Sequence, residues 1–364
     1  MTPLSLPRRI FNRALRPLMV RGYSFLTYRT YDMAFGQVLR DFKPDVIHAH
    51  DGVTFPTAAR VAEEIGAKLV LDNHELEAHR SPPLSALKRR QVESMERRVL
   101  PRADRTMTVT ELAADYLAST YGIRRPVVVF NAPPARPGPA GKRWDVADRE
   151  DVRSDLRLHP RDFLFVYTGN ITLNRGLELA IIALSRLQGF SDPNGRFRRY
   201  RLAVVGKPQS EQDEVIRDLA AAYGVPLHIL EPVAPHRVAS YISTANASII
   251  PIMPVTLSYE YAMPNKLFEA MLSGNPIIAS DLLEMGPFIH DNGLGLTYSA
   301  DSPEDCAEKM MMLIARFSEF ERSRERQREL EQAYAWEAQE QKLLDIYRDL
   351  FPDHQNGPHA PKDA

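Results

Sequence analysis

The feature that most restricts this chain is a recurring alternation of helical stretches with short apolar runs, each run closing on a cluster of polar residues. Val46-Ile47 leads into His48-Ala49-His50-Asp51, and after a helical stretch at 55–65 the run 68–71 leads into Asp72-Asn73-His74-Glu75. Helices preceding and separating such runs predict parallel strands, because a parallel pair needs a long crossover, and ligands then collect just beyond the carboxyl ends of the strands. A helix over 31–42 precedes this series. It continues through a helix at 86–99, a strand at 105–109, a helix at 111–119 and a strand at 127–130. The pattern stops at Pro133, Pro134, Pro137, Gly138, Pro139 and Gly141, which has the composition of a linker. It then restarts, with strands at 163–167, 201–205, 226–229, 247–252 and 276–280 and helices at 176–187, 211–223, 235–243 and 264–272. Helical runs follow at 303–317 and 320–350. The expected fold class is therefore α/β, with two doubly wound domains.

Composition removes several alternatives. The chain has 364 residues, 46 basic and 47 acidic, for a net charge of -1, so no global positive field points to nucleic acid. A single cysteine, Cys306, excludes an internal disulfide and a cysteine-built zinc site and suits a reducing compartment. No apolar stretch reaches the length of a membrane span and no leader-like segment opens the sequence, so a cytoplasmic location is expected. Charge is nevertheless uneven. The first 43 residues carry eight basic side chains against Asp32 and Asp41, interleaved with apolar residues such as Phe11, Leu15, Tyr23 and Phe25. Residues 88–105 carry seven basic against three acidic. Such a mixture fits an anionic membrane surface, and equally a solvated helix face.

The chemistry is concentrated at the strand ends. Thr168-Gly169-Asn170 closes a strand, and Arg175-Gly176 opens a helix: glycine admits a close ligand, helix-start amides are free donors, and arginine adds charge. These are the needs of a phosphate. In Tyr261-Ala262-Met263-Pro264-Asn265-Lys266-Leu267-Phe268-Glu269, Lys266 and Glu269 stand three apart and share a helix face. The lysine suits a diphosphate and the carboxylate a ribose diol; an internal Lys-Glu pair is the plainer reading. In the first half, His50 is read as a strand-end group able to hydrogen-bond a sugar hydroxyl or manage a proton, or merely to cap a loop. His48 and His50 are read as unable to point alike at one ion without help from a loop, so no metal site is expected. Dinucleotide, P-loop and serine-hydrolase signatures are absent, which leaves transfer from a nucleotide sugar.

These segments resemble the retaining glycosyltransferases of the GT-B fold, specifically the bacterial family four (glycosyl transferases group 1), from about Lys43 to Leu350 and most firmly over 163–280. The resemblance implies two Rossmann-like domains facing a cleft. Residues 1–132 would form an acceptor-side domain, incomplete at its start, and 133–160 the linker and domain entry. Residues 161–330 would form the nucleotide-sugar donor domain, 331–352 a terminal helix crossing back to the first domain, and 353–364 a disordered tail. It assigns catalysis to His50 and Asp51, and donor binding to Gly169, Asn170, Arg175, Gly176, Lys266 and Glu269. His74, Glu75, Tyr261 and Asn265 are implied as further cleft residues.

Asn170 stands where some family members have a second arginine, and Tyr261 where the signature has its first glutamate, with Glu260 one residue out of register. The amino-terminal sheet lacks the family's glycine-rich loop and clear first strand, so its edge would need cover from residues 4–26, a partner or second copy, or preceding residues. The implied activity is transfer of a sugar, with retention of configuration, from a UDP- or GDP-sugar to a hydroxyl of a glycan or lipid-linked acceptor in cell-surface polysaccharide synthesis. No cofactor or divalent metal is implied, and the nucleotide sugar is a co-substrate. Peripheral attachment to the inner face of the cell membrane fits the basic clusters. The alternative is a catalytically impaired GT-B protein serving as a nucleotide-sugar-binding or assembly subunit.

Overall fold

A computed structural model describes residues 26–135, 151–172, 174–207 and 210–352, which form two compact units. The expected tail at 353–364, most of the basic amino-terminal segment and the middle of the linker lie outside the described residues. The first unit comprises the described residues up to Val129 together with Thr256–Ser258 and those from Lys342 onward. The second comprises Phe130–Val255 and Tyr259–Gln341.

The first unit is built on a parallel sheet of β1 (Val46–His50), β2 (Lys68–Asn73), β3 (Arg105–Thr108) and β4 (Val127–Val128), hydrogen-bonded in that order. Each of the first three strands is followed by its own crossover, with helices Phe55–Ile65, Ala86–Val99 and Glu111–Tyr121 connecting them in turn. Because every step goes the same way, the right-handed crossover rule puts these helices on one side of the sheet. The last helix serves the other side: Tyr347 OH meets His48 Nδ1 at 2.7 Å, and Lys342 Nζ donates to the Val128 carbonyl at 3.2 Å. Leu69, Val70 and Leu71 are buried in succession, as a strand covered on both sides requires.

Among the described residues, β1 pairs only with β2, so it is an edge strand. The helical stretch before it, predicted from 31, begins at 26 and includes a π-helical segment, Asp32–Gly36. It does not pair with that edge. It docks on helix Phe55–Ile65, where Gly36 is buried, Arg40 Nε meets Glu64 Oε2 at 2.8 Å, and Asp32 pairs with Arg60.

The second unit is a six-stranded parallel sheet in the order β10-β9-β8-β5-β6-β7. Its strands are β5 (Asp162–Thr168), β6 (Arg199–Val205), β7 (Leu227–Leu230), β8 (Ala247–Ile250), β9 (Ile277–Ser280) and β10 (Gly295–Tyr298). The central β5 is buried throughout. Phe163, Phe165 and Tyr167 join one apolar cluster, with helices Leu177–Ser185 and Pro303–Ala315, while Leu164 and Val166 join another beneath Tyr241 and Ile242. Each aliphatic or phenyl side chain so buried contributes about 1.5–3 kcal/mol.

Two differences from the expected elements have simple causes. Helix Met285–Asp291 and strand β10 follow the last predicted strand; β10 offers only Gly-Leu-Thr-Tyr, and its parallel pairing with β9 makes it a strand. The long helical run from 320 divides at Ala335, whose ψ of 166° is extended, into Arg324–Tyr334 and Trp336–Leu350.

Candidate functional site

The second sheet has a switch in strand order. From β5 the chain proceeds outward to β6 and β7, then returns to lay β8 against the other side of β5. Connections after β5 and β8 therefore leave in opposite directions, and the crevice between their carboxyl ends is where open parallel sheets bind ligands. Both segments singled out in the sequence start there.

Gly169, immediately after β5, has φ +114°, and a Cβ built on it would lie 3.5 Å from Lys266 Nζ. It is therefore a bare backbone position beside the ammonium group. Gly176 has a different reason to be glycine. It caps helix Leu177–Ser185 at φ +70°, and a Cβ there would come within 1.7 Å of the Pro251 carbonyl oxygen, so it is required for packing against the segment after β8. Arg175 is half-buried, with Nε 3.4 Å from Thr172 Oγ1 and its guanidinium 5.3 Å from the Tyr259 ring centroid.

Helix Asn265–Ser273 starts after Pro264, whose extended ψ of 152° makes it the cap rather than the first helical residue. Its far end is tied down by Arg322 Nη2, which donates to the carbonyls of Met271 and Asn275, and by Gln327 Nε2, which donates to those of Met271 and Leu272. Lys266 in its first turn is only 9% exposed, and its Nζ lies 3.7 Å from the Tyr167 ring centroid. Burial pushes its pKa well below that of a free lysine, and the charge on Arg175 adds to this, with Glu269 opposing. Two basic side chains thus converge on one crevice. One turn on, Glu269 accepts a hydrogen bond from Thr168 Oγ1 at 2.7 Å; burial nonetheless raises its pKa, against Thr168 and Lys266. Asn170 and Asn265 are exposed and Tyr261 is half-buried.

The first unit gathers a second group. The expectation that His48 and His50 would diverge is overturned: residues i and i+2 of a strand share a face, and their rings stack with centroids 4.7 Å apart and planes 12° apart. Asp72, in register with His50 on β2, is buried and lies 3.0 Å from His50 Nδ1 and 2.9 Å from His74 Nε2. Burial disfavours its charge, but His48, His74 and His50 outweigh this and hold the carboxyl below the usual carboxylate range. His74 is shifted upward by its hydrogen bond to Asp72, against the effect of burial. Asp51 turns the chain at φ +62°, with its N–H on the Asp72 carbonyl, while His50 and Glu75 are exposed.

Sequence reasoning passed over Asp72, Tyr167 and Thr168 as site residues. The signal for Asp72 is a carboxylate closing the apolar run Leu69-Val70-Leu71, two residues before His74. Tyr167 and Thr168 gave none, because a tyrosine and a threonine at a strand end are ordinary.

Comparison with known proteins agrees with this architecture. The family described as "Glycosyl transferase 4-like domain" matches residues 4–134, and "Glycosyl transferases group 1" matches 162–316. The chain belongs to the GT4-like glycosyltransferases of the GT-B fold. It is 26% identical over 279 residues to a D-inositol 3-phosphate glycosyltransferase of Rhodococcus erythropolis, covering 72% of this chain and 57% of that protein. Among solved structures it is similar to sucrose-phosphate synthase from Thermosynechococcus elongatus, at TM-score 0.71 and 19% identity, covering 90% of this chain and 79% of the other. Anabaena Alr3699/HepE in complex with UDP-glucose gives TM-score 0.66 at 14% identity, with 87% and 81% covered.

Proposed function

We propose that the chain transfers a sugar from a UDP- or GDP-sugar to a hydroxyl of a glycan or lipid-linked acceptor, with retention of configuration. The observation that carries this is Lys266, a buried lysine beside Arg175 and bare Gly169 at the β5/β8 switch. A diphosphate there supplies counter-charge to both Lys266 and Arg175. As the sugar bond breaks, charge grows on the leaving diphosphate, and preformed positive groups in a water-poor site stabilise it. Glu269, oriented by Thr168, accepts from the ribose hydroxyls. His50, with Asp51 beside it, meets the acceptor hydroxyl, and Asp72 orients the rings of His50 and His74. His74, Glu75, Tyr261, Asn265 and Asn170 remain the further contacts of this reading.

The test is release of free nucleoside diphosphate from UDP- and GDP-sugars in the presence of D-inositol 3-phosphate or a lipid-linked oligosaccharide pool. Turnover lost in His50→Ala supports the reading. Donor binding without turnover in any acceptor arm favours the binding or assembly subunit. Glu269→Ala is expected to weaken donor binding roughly tenfold, as for loss of a hydrogen bond to a charged group, measured by calorimetry. Unchanged affinity would remove Glu269 from the site.

Peripheral membrane attachment belongs to the same proposal. The helical stretch 26–42 exposes Leu26, Met33, Phe35, Val38 and Phe42, with Met33 73% and Phe42 77% exposed, near Arg29 and Lys43. No helix among the described residues is long and apolar enough to cross a membrane. Flotation with anionic vesicles is expected at low salt and lost at high salt. Equal recovery with neutral vesicles would count against it.

A further inference from the structure

The histidine cluster of the first unit has a shape that hydrogen bonding to a sugar does not require. His50 Nδ1, His74 Nε2 and His48 Nε2 lie 3.0, 2.9 and 3.9 Å from one oxygen, Asp72 Oδ2, and His50 Nδ1 is 3.4 Å from His74 Nε2. Ligand atoms of His48, His50 and Asp72 all fall within 4.8 Å of one another. A tetrahedral zinc ion with bonds of about 2.0–2.1 Å separates its ligand atoms by about 3.3 Å, a value bracketed by the 3.0 Å from His50 Nδ1 and the 3.9 Å from His48 Nε2 to Asp72 Oδ2.

Two further features point the same way. His48 Nε2 is buried with no hydrogen-bond partner, although buried ring nitrogens are normally satisfied. The opposite nitrogen of that ring, Nδ1, is held by Tyr347 OH at 2.7 Å, the outer hydrogen bond by which proteins orient metal-binding histidines. His48 and His50 come from one strand face, and Asp72 from the adjacent strand in register with His50. The sheet itself therefore sets their spacing.

We propose that His48, His50 and Asp72 form a binding site for a single divalent transition-metal ion, with zinc the best match to a donor set of two imidazoles and one carboxylate that leaves a fourth position open. An ion there occupies His50 Nδ1, so metal loading and a hydroxyl contact through that nitrogen exclude each other. The inference goes beyond the transferase reading, because its test needs no nucleotide sugar.

The probe is Co2+, titrated into the chelator-treated full chain and followed by visible absorption. The expected result is one Co2+ per chain with the intense absorption of a low-coordinate site, displaced by one equivalent of Zn2+. His48→Ala is expected to weaken Co2+ binding at least tenfold. Tyr347→Phe, which keeps the packing and removes only the outer hydrogen bond, is expected to weaken it about tenfold. Circular dichroism of both variants checks that they fold. Absence of stoichiometric binding would overturn the proposal, and so would binding of equal strength in the folded His48→Ala and Tyr347→Phe variants.

Discussion

Lys266→Met is expected to reduce affinity for the nucleotide sugar by roughly 10- to 100-fold, while leaving the free protein as stable as before or more so. The first half follows from charge-assisted hydrogen bonds, worth about 1.5–3 kcal/mol each, with tenfold in affinity per 1.4 kcal/mol. The second follows from the surroundings of Lys266. Lys266 is buried, Arg175 opposes its charge, and only Glu269 and the face of Tyr167 favour it. A methionine of similar length keeps the packing and removes a group whose charging is unfavourable there. Urea unfolding and donor calorimetry, run on one preparation, separate the two effects. A large loss of stability with unchanged donor affinity would make Lys266 a structural residue and withdraw the donor site.

The same residue gives the donor step a pH signature. A diphosphate raises the pKa of a lysine held below its ordinary value in the free protein, so above the free-state value the group takes up a proton as the donor binds. Binding then takes up protons, and affinity falls as pH rises above the free-state value. The observed enthalpy should accordingly vary with the ionisation enthalpy of the buffer, and Lys266→Met should abolish that variation. An enthalpy independent of buffer in the unsubstituted protein would mean that Lys266 is charged before the donor binds.

Most of the second unit was legible because its signals are local. Helix Asn265–Ser273 is bracketed by Pro264 and Gly274, and the apolar run of β5 is covered on both sides. The donor residues were legible for the same reason: a glycine, a cation and a helix start in sequence imply an anion wherever the fold puts them. That His48 and His50 share a face follows from the strand period alone; the rest of the histidine group is set across strands. That His50 faces Asp72 is a fact of register between β1 and β2, which neither segment states alone. β10 was missed because its four residues gain their strand character from β9. The burial of Lys266, on which the functional argument turns, depends on Tyr167 from a strand about a hundred residues earlier.

Glu96 carries the other large effect, on stability. It lies in helix Ala86–Val99, 1% exposed, and accepts a hydrogen bond from Tyr121 OH at 2.6 Å. Burial raises its pKa to about 7; Tyr121 opposes this, while Glu77 and Glu93 add to it. Tyr28 also feels its charge, and Arg97 lies over the Tyr121 ring. In the folded chain the carboxyl keeps its proton up to about pH 7, whereas the unfolded chain releases it from about 4.5. The folded state therefore binds more protons across that window, and stability falls as pH rises through it. About 1.4 kcal/mol per pKa unit gives a loss of about 3 kcal/mol, complete above pH 7. Glu96→Gln keeps an acceptor for Tyr121 and an N–H in place of the acid O–H, without a titrating proton. The variant is expected to match the parent near pH 4.5 and to exceed it by about 3 kcal/mol at pH 8, measured by urea unfolding at both values. Parallel pH profiles for the two proteins would show that Glu96 is already ionised in the fold.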